Sequence, residues 1–132
     1  MGSFSLFYQN GGFFMHLVSL AGVAGAVYGV QALRLSKGAK EGESKLNFER
    51  VLGWVVGLTG LAMAFGVLGT CMGLHEAAYA ARSVPFEEHN SAFTMGAGIA
   101  LNTTTYGLMV AIPLVFIYLL SRSRNTKALA LG

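Results

Sequence analysis

An all-α integral membrane protein with three transmembrane helices is the fold class this sequence predicts, and three observations predict it. Three stretches, residues 13–33, 51–74 and 97–120, carry no Asp, Glu, Lys or Arg, and each is long enough to cross a hydrocarbon core of about 30 Å as a helix. Apolar residues make up 54% of the 132-residue chain and charged residues only 11%, about half the charged share of a soluble domain. Eighteen glycines in so apolar a chain fit close helix packing in a membrane better than a flexible coil. The length is that of a single domain, residues 1–132.

The net charge of +3 does not indicate nucleic-acid binding. The basic residues gather at helix ends, as topology signals do, and form no groove-like patch with aromatics. The lone cysteine, Cys71, excludes a disulfide framework and reads as a small buried hydrophobe.

In chain order, MGSFSLFYQNGG lacks the basic start and small-residue cleavage pattern of a secretory signal, so it reads as part of the protein. Phe4, Phe7 and Tyr8 suit the membrane interface. The first span holds Ala21, Gly25 and Gly29 at four-residue intervals, with Gly22 and Ala26 on the adjoining row. Small residues at that spacing let a second helix backbone approach closely. His16 stands near the outer end with no second ligand at metal spacing, and reads as interfacial.

Residues 34–50 are polar and hold Arg34, Lys37, Lys40, Lys45 and Arg50 against three glutamates, which places this loop in the cytoplasm by the positive-inside rule. Lys45–Arg50 read as the start of a helix that runs on into the membrane. The second span follows, with Trp54 near its cytoplasmic end and two close-packing pairs, Gly53/Gly57 and Gly69/Gly73. Thr59 and Thr70 stand eleven residues apart, close to three helical turns, and so share a face. Such a stripe lines a pore or merely bonds to its own backbone; spacing leaves both open. The span ends at His75-Glu76, and residues 75–92 form a loop whose single Arg82 faces Glu76, Glu87 and Glu88. That balance fits an external position, where carboxylates raise the local cation concentration. Glu87-Glu88-His89 is too short a cluster for a metal site. The tail, residues 121–132, carries Arg122, Arg124 and Lys127 and no acid, so it joins the cytoplasmic side and leaves the N-terminus outside.

The third span lies in an uncharged run of about 32 residues, Asn90–Ser121. It contains Asn102, Thr103, Thr104 and Thr105 in succession. Three consecutive helical residues sweep about 200° of the circumference, so at least one hydroxyl faces a neighbouring helix or a lumen. Hydroxyls and an amide relay or coordinate ions but hold no proton near neutral pH. None of the spans carries a carboxylate, so ion transfer through them requires a partner chain that brings one. The same lack argues against a rotary-synthase proteolipid, and no catalytic or cofactor constellation is present. The competing reading is a non-conducting scaffold in which glycines and threonines only hold helices together.

FGVLGTCMGL at Phe65–Leu74 and GAGIALNTTTYGLMVAIP at Gly96–Pro113 resemble the two signature elements of the MotA/TolQ/ExbB proton-channel family, on the matching spans and in the matching order. The resemblance implies a homopentameric ring in the bacterial inner membrane. It also implies a single-span partner of the ExbD/TolR/MotB type, whose membrane Asp lets ion flow drive mechanical work. Thr70 matches the family's second-span threonine and Thr104 its third-span threonine, and the two are expected to bracket the partner's aspartate. The ExbB and TolQ branches carry Glu where this chain has Ile99, so the chain is nearer the MotA branch. Asn102, Thr103 and Thr105 add oxygen ligands that suit Na⁺ as well as H⁺. The large cytoplasmic domain of the family is here reduced to about 17 residues. No cofactor or enzyme activity is implied.

Overall fold

The computed structural model describes residues 12–37 and 42–131; Phe4, Phe7 and Tyr8 lie outside them. Three long helices follow one another: α1 (Gly12–Leu35), α2 (Glu43–Ala81) and α3 (His89–Ala130), with a single 3₁₀ turn at Phe86–Glu88 before α3. Each is long and apolar enough to cross a membrane, and the described residues contain no other regular structure.

The helices outrun the apolar stretches inside them. α2 has 39 residues and α3 has 42, so at 1.5 Å per residue each is about 60 Å long, twice the hydrocarbon thickness. The helix of the second span does not end at His75-Glu76. It continues through Ala77, Ala78, Tyr79, Ala80 and Ala81, because alanine is the strongest helix former and nothing in that stretch interrupts it. Pro85 and the residue before it stop the helix, and the connection shrinks to residues 82–88. There the His89 ring nitrogen Nε2 lies 2.7 Å from the Val84 carbonyl oxygen, and Phe86 meets the His89 ring edge-on at 5.5 Å.

All three helices pack on one another, with α2 and α3 sharing the most extensive contact. Their backbones nearly touch where Gly66 faces Gly107: a methyl carbon on Gly107 would sit 3.0 Å from the Ala62 carbonyl oxygen and 3.2 Å from the Gly66 Cα. Along the α1–α3 seam, Gly22, Gly25 and Gly29 receive Val110, Leu114 and Ile117 in turn. The Ser19 hydroxyl adds a 3.0 Å bond to the Tyr106 hydroxyl. α1 meets α2 through Val18, Ala21 and Ala62 at mid-bundle and through Ala32, Phe48 and Leu52 at the end near the 34–50 connection. Tyr28 stacks on Trp54 at 5.9 Å.

The close approaches that the small-residue rows call for are made largely within one chain. Gly25, Gly29, Gly69 and Gly73 all face helices of their own chain. Gly53 and Gly57, the remaining pair, have open space beside them, as do Gly60 and Gly98. Cys71 is likewise exposed rather than buried, on a face with Met63, Val67 and Leu68. Apolar side chains such as Val67, Met72, Ile112 and Phe116 are exposed along the bundle, which is what a lipid-facing or subunit-facing surface requires. Pro113 sits inside α3 and removes one donor from its ladder, which membrane helices tolerate.

Candidate functional site

Thr70 on α2 and Thr104 on α3 meet across the helix seam, their hydroxyl oxygens 2.5 Å apart. The approach is a direct result of the glycines beside them. Gly66, one turn before Thr70, and Gly107, one turn after Thr104, present no side chain, so the two backbones close to a distance that short side chains span. The Thr70 hydroxyl is also 2.9 Å from the Ala100 carbonyl oxygen and 3.2 Å from the Gly66 carbonyl oxygen. The Thr104 hydroxyl is 3.2 Å from the same Gly66 oxygen.

Two hydroxyl hydrogens are available to these contacts, since each threonine donates once and accepts twice. If Thr70 donates to Ala100, Thr104 is free to donate to Thr70 or to Gly66. If Thr70 donates to Thr104, then Thr104 donates to Gly66. The pair therefore has more than one satisfied pattern. Thr70 is 8% exposed and Thr104 half-buried, so one member of the pair is sealed and the other is partly open to the outside of the bundle.

Of the remaining polar run, Thr103 is buried at 2% exposure, and its methyl lies over Gly69, where a Cβ would be 2.6 Å away. Asn102 is half-buried. Thr105 is exposed and bonds back to the Leu101 carbonyl at 3.1 Å. The structure thus brings Thr70, Thr103 and Thr104 together and leaves Thr105 on the far side of α3. Thr59, although buried, bonds only to the Val55 carbonyl of its own helix at 2.7 Å, so the two threonines of the α2 face play different parts. Among the described residues no group of His, Cys, Asp or Glu is placed to hold a metal ion.

Sequence reasoning missed Gly66 and Gly107 as the pair that sets the site, and Ser19 with Tyr106 as the polar contact that ties α1 to it. Gly66 and Gly107 each sit in a four-residue row of small residues, Ala62–Gly66–Thr70 and Thr103–Gly107–Ala111, that has no second glycine to mark it.

The family model described as the MotA/TolQ/ExbB proton channel family matches residues 31–131, well over half of the chain. The chain belongs to that family. No curated protein and no solved structure matches it. The matched region takes in the end of α1, the polar connection and all of α2, with α3 to its last turn, and so contains the whole hydroxyl site. Three helices long and apolar enough to span a membrane and membership of a proton-channel family together make the chain a multi-pass membrane protein of a channel family.

Proposed function

We propose that the chain is the ion-channel subunit of an inner-membrane stator complex, converting an H⁺ or Na⁺ gradient into mechanical work through an ExbD/TolR/MotB-type partner. The observation that carries this reading is the Thr70–Thr104 hydroxyl pair, held across a glycine-lined seam in a bundle whose spans contain no carboxylate. A pair that redistributes its hydrogen bonds without orphaning a carbonyl suits a site that receives a charged group and releases it. The charge is supplied by the partner's membrane Asp, which Thr104, the half-open member, meets first. Asn102, Thr103 and Thr105 modulate the path, with Thr105 directed away from the pair.

Five such subunits form the ring in this proposal, with Gly53 and Gly57 on the subunit-facing side. The basic loop and tail lie in the cytoplasm, and Glu87 and Glu88 outside. Ion flux into proteoliposomes carrying the complex, purified from its native host through a tag on this chain, tests the proposal. Flux that Thr104→Val abolishes supports it, and flux indifferent to that change removes it.

A second reading has one observation in its favour. The same hydroxyl bonds join α2 to α3, as they would in a non-conducting scaffold. The two readings part on the genetic neighbourhood: a channel needs a single-span chain with an early membrane Asp beside it, and a scaffold does not.

A further inference from the structure

A cavity of about 600 Å³ opens between α1, α2 and α3 at the Glu76 end of the bundle, and the hydroxyl pair does not explain it. Its walls include Met72, Glu76 and Ala80 from α2 and Ile99 from α3. Glu76 is exposed and is the one ionisable group on these walls among the described residues. At the end nearest Thr70, Phe14 of α1 and Thr103 of α3 converge on Gly69: a Cβ there would lie 2.6 Å from the Thr103 methyl and 2.9 Å from the Phe14 Cβ. Gly69 is the residue immediately before Thr70. The cavity wall thus reaches the residue next to the hydroxyl pair, and the Phe14 side chain lines the cavity there.

We infer that this cavity is a water-filled antechamber that gathers hydrated monovalent cations for the site, with Glu76 as the charge that concentrates them and Phe14 as the apolar floor that meters their passage. The inference rests on the channel reading given above and adds a route within a single subunit to it. A carboxylate at the mouth of a concave, low-dielectric cavity focuses its field into that cavity and raises the local cation concentration. The effect is screened over about 10 Å at 0.1 M salt, so it is strong only in dilute salt. In this proposal the apolar Phe14 side chain at the Gly69 end limits how freely bulk water passes from the cavity to the hydroxyl pair.

The first test is independent of conduction. In a Cys71→Ser background in native membranes, Ile99→Cys is exposed to cationic and anionic membrane-impermeant methanethiosulfonates. Reaction with both, faster with the cation, is expected; lipid or a neighbouring helix filling the cavity leaves the thiol unlabelled and overturns the inference. Adding Glu76→Gln lowers the cation-to-anion rate ratio about threefold at 10 mM salt and not at 0.5 M. An unchanged ratio removes Glu76 from the role.

The second test is flux in proteoliposomes carrying the native complex, driven by a pH gradient and then by a Na⁺ gradient, which separates the two cations. Glu76→Gln lowers flux at 10 mM salt and matches the wild type at 0.5 M, while Phe14→Ala raises it. If Thr104→Val conducts like the wild type, the channel reading itself fails. If Thr104→Val blocks while Glu76→Gln and Phe14→Ala leave flux unchanged, the antechamber alone fails.

Discussion

Replacing Thr104 by valine tests the site most directly, because valine keeps the shape of threonine and removes only Oγ1. The hydroxyl contributes the contact with Thr70 and a 3.2 Å approach to the Gly66 carbonyl oxygen. Its loss orphans neither carbonyl: within α2 and α3 the Gly66 oxygen still accepts from the Thr70 N–H and the Ala100 oxygen from the Thr104 N–H, four residues on in each case. The structural cost is therefore that of one interhelical bond in a membrane, about 0.6 kcal/mol on average and up to about 1.7. A bond from a hydroxyl to a charged group carries more, about 1.5–3 kcal/mol, which slows each transfer roughly ten- to more than a hundredfold. The expected outcome is an intact complex that no longer conducts. Thr70→Val behaves alike, Thr104→Ser conducts, and Asn102→Leu and Thr103→Val have milder effects. Flux in proteoliposomes, driven first by a pH gradient and then by a Na⁺ gradient, provides the measurement, with the complex assayed for integrity in detergent. Two valine variants that conduct like the wild type would refute the reasoning and leave the threonines as helix glue.

Native mass spectrometry of the purified complex is expected to show five copies of this chain, and a monomer or dimer as the sole species would sink the ring. Ser91→Cys in a Cys71→Ser background should react with an impermeant reagent on intact cells; labelling only after lysis would reverse the topology. Gly107→Ala places a methyl 3.0 Å from the Ala62 carbonyl oxygen, where backbone cannot yield, and should cost about 1–3 kcal/mol of stability, read as a lower aggregation temperature in detergent. A Cβ at Gly53 meets nothing within 4 Å among the described residues, so Gly53→Ala should leave the subunit folded and weaken only the assembly. Equal thermal shifts for the two would contradict this division of the glycines.

The number of helices was legible because the hydropathy of each span is set by the solvent it crosses. The orientation of side chains within the spans was not. In a soluble helix, apolar character marks the core-facing side; in a membrane, the outward face is apolar too. That is why Cys71, placed inside by its apolar surroundings, is exposed, and why the glycine rows announced a close contact without saying with what. Gly25 and Gly29 lie against Leu114 and Ile117 of the same chain. Three consecutive threonines had to spread around α3, but not which one would face α2; the answer, Thr103 and Thr104 inward and Thr105 outward, depends on the crossing at Gly107. Thr70 and Thr104 are 34 residues apart on different helices, so no periodicity joins them, and only the likeness of two motifs to a known family paired them. The extent of α2 beyond Glu76 was readable in its alanines, and the span length hid it.

The resting geometry also bears on how a visiting carboxylate would be received. Thr70 has a 2.9 Å contact with the Ala100 carbonyl, shorter than either threonine's 3.2 Å contact with Gly66. In the pattern where the Thr70 hydrogen goes to Ala100, the hydrogen of Thr104 is the one divided between a hydroxyl and a distant carbonyl. Turning that hydrogen toward an incoming carboxylate gives up the weaker contact and gains a charge-assisted bond, worth roughly twice a neutral one. The Gly66 oxygen keeps its helical N–H partner throughout, and Thr70 keeps its bond to Ala100. In the proposed channel, the charged group is accommodated by rotation about a single side-chain bond, with both helix backbones fixed by the contact between Gly66 and Gly107.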